Sequence, residues 1–407
     1  TDVGDINQKF RFACDFSKDL ETQSGCAGIR VIKFPVETPS VSKQWKACRE
    51  IYDTFMDESH IIARKFTNLY TKPLLLGGWH YPEKTDQGMQ IWSSGMAEIF
   101  VKDVQSICLQ GYSPKKLEIT IIGDGVGLNK CCVDRNFRLE IPVENVNVVT
   151  LKMNTFSVEN QDPRPLGVLI QEIITSQGIL MLTEDYKSFL RQNFSENLIQ
   201  EYIHLAKARD KKIETLFYDV RGPHSEQMLE WMEKHIEKYD IVLGHSVPFD
   251  TIYDATRISR EHHKPVVTLP HFHMEDDFYH WNLYYESMYD ANTTLCFPNA
   301  AKSLFFDKIQ AEVDLVPGGG VDTAEFVNAG EWKYGDKPFV LVLGRKAGSK
   351  NYKWTIDAIE ELNKQGEDIR LLIVGKDEDE EPINVKGVEY LGEQPRDIVI
   401  AALKNCS

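Results

Sequence analysis

No Cys-x-x-Cys pair occurs in this sequence: its eight cysteines are scattered along 407 residues, apart from the adjacent Cys131 and Cys132. That spacing argues against a disulfide framework and against a zinc site, and it suits reduced thiols in the cytosol. No apolar run approaches the length of a membrane-spanning helix, and no secretory leader is visible, so neither a membrane span nor export is expected. No repeat of fixed period and no low-complexity tract interrupt the chain. Positive charge is scarce, with 46 Lys and Arg against 62 Asp and Glu and a net charge of -16. A broad nucleic-acid surface needs concentrated cations and is therefore not expected, whereas a small basic pocket remains compatible.

A chain of this length is too long for one core, and its 42% hydrophobic and 27% charged residues suit a soluble globular protein of several domains. Residues 1–40 are weakly patterned. From Ser42, the apolar residues Trp45, Cys48, Ile51, Tyr52, Phe55, Ile62, Phe66 and Leu69 recur at spacings near three and four. They predict an amphipathic helix, with an interruption around Asp57–Ser59, inside a partly helical segment 1–72. After Pro73 come short β-rich runs, among them "LLLGGW", "MQIWSSGMAEIFV", "LEITIIG" and "NVVTLKM". Their turn-residue punctuation predicts an all-β sandwich over 73–160.

From about Ile173 strand and helix patterns alternate. "GILMLTEDY" reads as a strand, "ENLIQEYIHLAKARDKK" as a helix, "ETLFYDV" as a strand and "SEQMLEWMEKHIEKY" as a helix. "DIVLGHS", "KPVVTLPHFH", "TTLCFPN" and "AEVDLVPGG" continue the series to about residue 326. A polar, Gly-containing stretch then leads to a second alternating unit, 336–407. The fold class expected is α/β, with two Rossmann-like units preceded by a helical segment and the sandwich. Two such units imply a ligand cleft at the carboxyl ends of their strands.

The connection "LGRKAGSKNYKW" carries Gly344, Arg345 and Lys350 between a strand pattern and a helix pattern. Glycine permits backbone shapes that a side chain obstructs, a guanidinium offers a planar fork, and a lysine offers a point charge. At a helix N-terminus that combination suits a diphosphate, although a solvated loop with two surface cations has the same spacing. His271 and His273 follow another strand in "TLPHFHMEDD". A neutral imidazole there could position or deprotonate a hydroxyl, or fill a packing or capping role. With Glu275, Asp276 and Asp277 the two histidines also have the residue types of a metal site, but the carboxylates look like a solvated helix start. "GDGVG", residues 123–127, precedes a strand rather than a helix and reads as a hairpin turn, not a phosphate loop. "KDEDEEP", residues 376–382, reads as a solvated acidic loop. Trp79, His80, Tyr81 and Trp92 read as sandwich core or rim, with sugar stacking as the alternative.

"GRKAGSKNYKWTIDAIEEL", "RLLIVGKDED", "VEYLGEQPRDIVIAALKNCS" and "LVPGGGVD" occur in an order that resembles retaining glycosyltransferases of family four. The resemblance covers about residues 174–407. It implies a GT-B fold whose second Rossmann-like unit is incomplete here, because the family pattern continues past Ser407 with a spaced pair of glutamates that grip the donor. It also implies that Arg345, Lys350 and Gly344 bind the donor diphosphate and that His271 lines the reacting centre. His273, Gly319 and Gly320 would lie along the acceptor side or the cleft. No cofactor and no required metal are implied, only a nucleotide-sugar donor and a glycan acceptor, free or lipid-linked. "KSFLRQNFSEN" holds no glycine where the family has a Gly-Gly loop, which leaves contacts there in doubt. "DPRPLGVLIQEI" resembles the closing segment of β-sandwich modules in bacterial polysaccharide-synthesis proteins. The implied role is sugar transfer in surface-polysaccharide assembly, in the cytoplasm or at the inner face of the membrane. Two other readings fit the sequence: a non-enzymatic glycan-binding protein using the sandwich, and a GT-B enzyme such as a sugar-nucleotide epimerase.

Overall fold

A computed structural model describes residues 32–86, 88–296, 302–316, 323–327, 332 and 338–406. The chain divides into two compact units, Thr1–Pro317 and Gly318–Ser407.

In the first unit, helix α1 (Val41–Lys65) starts at Ser40, whose side chain accepts from the Lys43 amide, and ends with Arg64 and Lys65 against its C-terminal dipole. It is continuous where the sequence suggested a break, and Glu58 and Ser59 there both have partners. Glu58 receives both guanidinium arms of Arg209 at 2.8 Å, and Ser59 accepts from the Gly78 amide at 3.0 Å. One stretch of α1 packs Cys48, Ile51 and Tyr52 with Phe217 and Trp281. The next packs Ile62, Ala63 and, just beyond its end, Phe66 with Leu74, Phe100 and Leu198. The helix therefore joins a β layer to a helical layer.

The β layer is built from β1 (Leu74–Leu75), β2 (Glu83–Thr85), β3 (Gly88–Trp92), β4 (Met96–Phe100), β5 (Ser106–Gly123), β6 (Val126–Pro142) and β7 (Val148–Met153). A separate pair, β8 (Phe156–Val158) with β9 (Asp162–Leu166), precedes β10 (Leu169–Thr175) and β11 (Gly178–Leu180). Apart from that pair the strands form one nine-stranded antiparallel sheet, ordered β1-β4-β7-β5-β10-β3-β2, with β6 on β5 and β11 on β10. Strand β5 changes partners along its length. Ile107–Tyr112 pairs with β10 and Ile119–Gly123 with β7, and the register shifts between Ser113 and Leu117. Ile107 and Leu109 from one half meet Ile119 and Ile121 from the other in a single core. The "GDGVG" stretch is the turn of the β5–β6 hairpin.

Two expectations are corrected here. "GILMLTEDY" does not open a parallel sheet: Gly178–Leu180 is the antiparallel partner of β10, so the β layer runs past 160. "ETLFYDV" is not a strand but part of a helix. Helices α2 (Tyr186–Asn193) and α3 (Ser195–Ala208) are followed by α4 (Lys211–Arg221), restarted by the cap of Asp210 on the Lys212 amide. Phe217 and Val220 in α4 are fully buried, Phe217 stacked on Trp281 at 3.6 Å. That aromatic packing on a helical layer overrides the local β propensity of the segment.

After α5 (Glu226–His235) comes a parallel sheet of β12 (Val242–His245), β13 (Val266–Leu269), β14 (Thr293–Cys296) and β15 (Val313–Leu315), in that spatial order. Helices α6 (Asp250–Glu261) and α7 (Asn282–Tyr289) make its first two crossovers. The second unit holds a parallel sheet of β16 (Phe339–Leu343), β17 (Arg370–Val374) and β18 (Val388–Gly392), with α8 (Tyr352–Lys364) between the first two strands and α9 (Arg396–Asn405) after the third. No described helix is long and apolar enough to cross a membrane.

Candidate functional site

Ligands gather at the carboxyl ends of parallel strands, and both parallel sheets carry chemistry there. In the second unit, β16 runs into Gly344 at φ 148°, and β17 runs into Gly375 at φ 148°. A Cβ on Gly375 would lie 1.9 Å from the Gly344 carbonyl oxygen, so a side chain is excluded where the two strand ends approach. The chain then passes through a short 3-10 turn, Gly348–Lys350, and Asn351 in the left-handed region enters α8. The Asn351 side chain makes no capping hydrogen bond at this helix N-terminus. Lys350 is exposed just before it, and no side-chain partner for it is found among the described residues.

Arg345 is engaged. Its guanidinium bonds both oxygens of Glu378, at 3.1 and 3.0 Å. The neighbouring Lys346, which the sequence reading passed over, is the buried cation of the turn at 1% exposure. It meets Asp377 at 2.7 Å, Asp379, and the Glu381 carbonyl at 2.9 Å. Burial opposes its charge, but the hydrogen bonds it donates to Asp377 and Asp379 outweigh that and hold its pKa above the ordinary lysine value. Tyr352 donates to Asp379 at 2.6 Å, and Lys353 pairs with Glu381. The acidic run 376–382 is therefore not a freely solvated loop. Its carboxylates fold onto the basic turn, and backbone bonds join the two (Lys346 N–H to Lys376, Glu378 N–H to Lys346). A basic run and an acidic run about thirty residues apart, each ending a strand of one parallel sheet, was the signal available.

In the first unit, His245 is the last residue of β12 and His271 follows β13 by two residues. Their Nε2 atoms lie 3.1 Å apart, and the rings meet edge to face at 4.9 Å. Backbone bonds from the Ser246 and Val247 amides to Leu269 and Pro270 fix the two strand ends side by side. His271 at φ 48° and Ser246 at φ 67° both sit in the left-handed region, where non-glycine residues cost energy. Ser246 Oγ lies 2.8 Å from His245 Nδ1. When Ser246 donates to that nitrogen, His245 donates from Nε2 to His271, and the tautomer of His271 follows. His245 thus orients His271. "LGHS" ending one parallel strand beside "LPH" ending the next is a signal that sequence spacing alone did not reveal.

His273 is not brought to this pair. Its ring packs on Tyr279 at 4.8 Å and lines a different cleft. Gly319 and Gly320 lie outside the described residues. Among the described residues no group of three or more His, Cys, Asp or Glu converges on a metal position.

The fold and these strand ends define a mixed α/β protein with two parallel sheets, each carrying polar chemistry where its strands end. No protein-family model matches the chain, and no curated protein matches it. Among solved structures it is similar to HepE from Anabaena, solved in complex with UDP, at 14% identity and a TM-score of 0.31 over 53% of this chain and 69% of that one. It is also similar to the salicylyl-acyltransferase SsfX3 of a tetracycline biosynthetic pathway, at 9% identity and a TM-score of 0.20 over 60% and 85%. Neither TM-score reaches 0.5, and the functional argument rests on this chain's own residues.

Proposed function

We propose that this chain is a glycosyltransferase that moves a sugar from a nucleotide-sugar donor to a glycan acceptor with retention, in bacterial surface-polysaccharide synthesis. The observation that carries the reading is the turn after β16. There Gly344, Arg345 and the exposed Lys350 precede a helix N-terminus that the Asn351 side chain does not cap, in the order that the sequence resemblance assigns to the donor diphosphate. Helix N-termini favour anions, and a cation placed where negative charge develops lowers the barrier to departure of the diphosphate. Arg345 exchanges Glu378 for phosphate oxygens when the donor arrives, and Lys350 supplies the second charge. No metal is required in this reading. His271, oriented by His245, positions the acceptor hydroxyl. Retention and the polysaccharide role come from the resemblance. Lys350→Ala is expected to cut transfer at least about a hundredfold with an unchanged melting temperature, measured as release of nucleoside diphosphate with acceptor present. Transfer at the wild-type rate contradicts the role of Lys350.

A further inference from the structure

The first unit contains an open cleft of about 650 Å³ that neither His245 nor His271 lines, within the size range of small-molecule sites. Three segments wall it: Tyr81 and Pro82 between β1 and β2, residues 183–191 leading into and along α2, and residues 272–277 after β13. We propose that this cleft binds a neutral oligosaccharide, with Tyr81, Arg191 and His273 as its contact residues. That the bound glycan is the acceptor rests on the transferase reading; the binding itself does not.

The chemistry of the wall selects against anions and offers hydrogen-bonding groups to a neutral ligand. Four carboxylates and two cations line the cleft, and each carboxylate already has an anchor. Asp277 is paired with Lys187 and accepts from the Tyr81 hydroxyl at 3.2 Å. Glu275 accepts from Ser195 Oγ at 2.5 Å, and its carbonyl accepts from Arg191 at 3.2 Å. Asp185 caps α2 by accepting from the Ser188 amide at 2.7 Å, and Asp276 accepts from the Phe278 amide at 3.0 Å. The two cations, Lys187 and Arg191, face Asp277 and Glu275, whereas Asp185 and Asp276 are held by backbone amides. What is offered is a set of carboxylates with one ammonium and one guanidinium, each tied to a neighbour. A sugar hydroxyl both donates and accepts, so it can bridge such groups, while an anion meets four carboxylates against two cations.

Two further features fit a glycan. Lys187 Nζ lies 5.6 Å from the Tyr81 ring centroid, and Tyr81 as a residue is 37% exposed, which suits an aromatic residue that meets the C–H side of a sugar ring. The opposite wall is braced by packing: Phe272 stacks on Phe305 at 4.3 Å, and the His273 ring lies tilted against Tyr279 at 4.8 Å. Behind Tyr81, Lys187 and Asp277 lies a smaller adjoining chamber of about 80 Å³. The Tyr186 hydroxyl on its wall is buried and has no hydrogen-bond partner among the described residues, so a polar group entering from the cleft would find an unmet partner there.

The test is isothermal titration of the whole chain with neutral linear tetrasaccharides of glucose, mannose, galactose and N-acetylglucosamine, alongside spermidine and tetragalacturonate. At least one neutral tetrasaccharide is expected to bind with Kd below about 1 mM. Arg191→Ala and Tyr81→Ala should each weaken it at least about tenfold at an unchanged melting temperature. The inference is overturned if no neutral tetrasaccharide binds, if spermidine or tetragalacturonate binds better, or if both variants bind as the wild type does. Titrating UDP, GDP and ADP into the same protein separates the two claims. Tetrasaccharide binding without nucleotide binding leaves the cleft standing and removes the transferase; the converse removes the cleft alone.

Discussion

Buried ionisable side chains make the sharpest statements about single residues. His80 and His280 are both held neutral, with pKa values lowered to about 4, chiefly by burial. His280 sits between the Tyr285 hydroxyl at 2.6 Å and the Met274 carbonyl at 2.7 Å, and His80 bonds the Pro165 carbonyl at 3.1 Å. Unfolded, each takes up a proton near pH 6.5. Between that value and about 4 the unfolded chain therefore binds more protons, and these residues' contribution to stability falls as pH falls through that window. Asp250 acts in the opposite sense, since burial and then Asp254 raise its pKa, and its contribution is lost as pH rises. The ring proton shifts of His80 and His280 are expected to stay flat by NMR from about pH 8 to about pH 5. A midpoint near the ordinary histidine value for both would contradict their burial. Arg164 makes a second residue-scale case. At 1% exposure it holds Glu83 on β2 at 2.7 Å and Asp162 on β9 at 2.8 Å. Arg164→Ala strands two carboxylates and should cost about 3–5 kcal/mol in urea unfolding; a loss under about 1 kcal/mol would show that the triad is dispensable.

At the scale of the element, the turn after β16 and the loop after β17 act as one charged unit. Lys346 is its permanent anchor, whereas the Arg345–Glu378 pair is half exposed and exchangeable. An exposed pair of this kind is worth at most about 1 kcal/mol. Glu378→Gln removes the internal competitor and should tighten nucleoside diphosphate binding by about two- to fivefold. Weaker binding in that variant would mean that Glu378 holds Arg345 in place for the donor rather than competing with it. The parallel strands were legible because β12 to β18 are short apolar runs bounded by Gly, Pro or polar residues. The α4 helix was not legible, because "TLFY" has strand propensity and only its stacking on Trp281 makes it helical. The pairing of the acidic loop with the basic turn was hidden for a related reason: a charge run looks solvated until the neighbouring strand brings opposite charge to it.

At the scale of the whole molecule, the strand-helix alternation from Val242 onward was readable, and the extent of the β layer was not. Its continuation through Gly178–Leu180 depends on long-range pairing with Ile173–Thr175, which local pattern cannot specify. Of the candidate residues, Gly344, Arg345 and Lys350 fall on one strand-to-helix turn, while His271 and His273 part company because the chain between them turns Phe272 onto Phe305. The chain as a whole is acidic, at -16, so a dianionic ligand binds only where local cations oppose that field. The most direct test of the account is a thermal-shift titration of wild type and Lys350→Ala with UDP, GDP and ADP. A ligand that binds only the folded state raises the melting temperature with concentration. The account predicts a saturable rise for at least one nucleotide in the wild type and a rise at least about tenfold right-shifted in Lys350→Ala. No shift with any of the three, or equal shifts in both proteins, would contradict it.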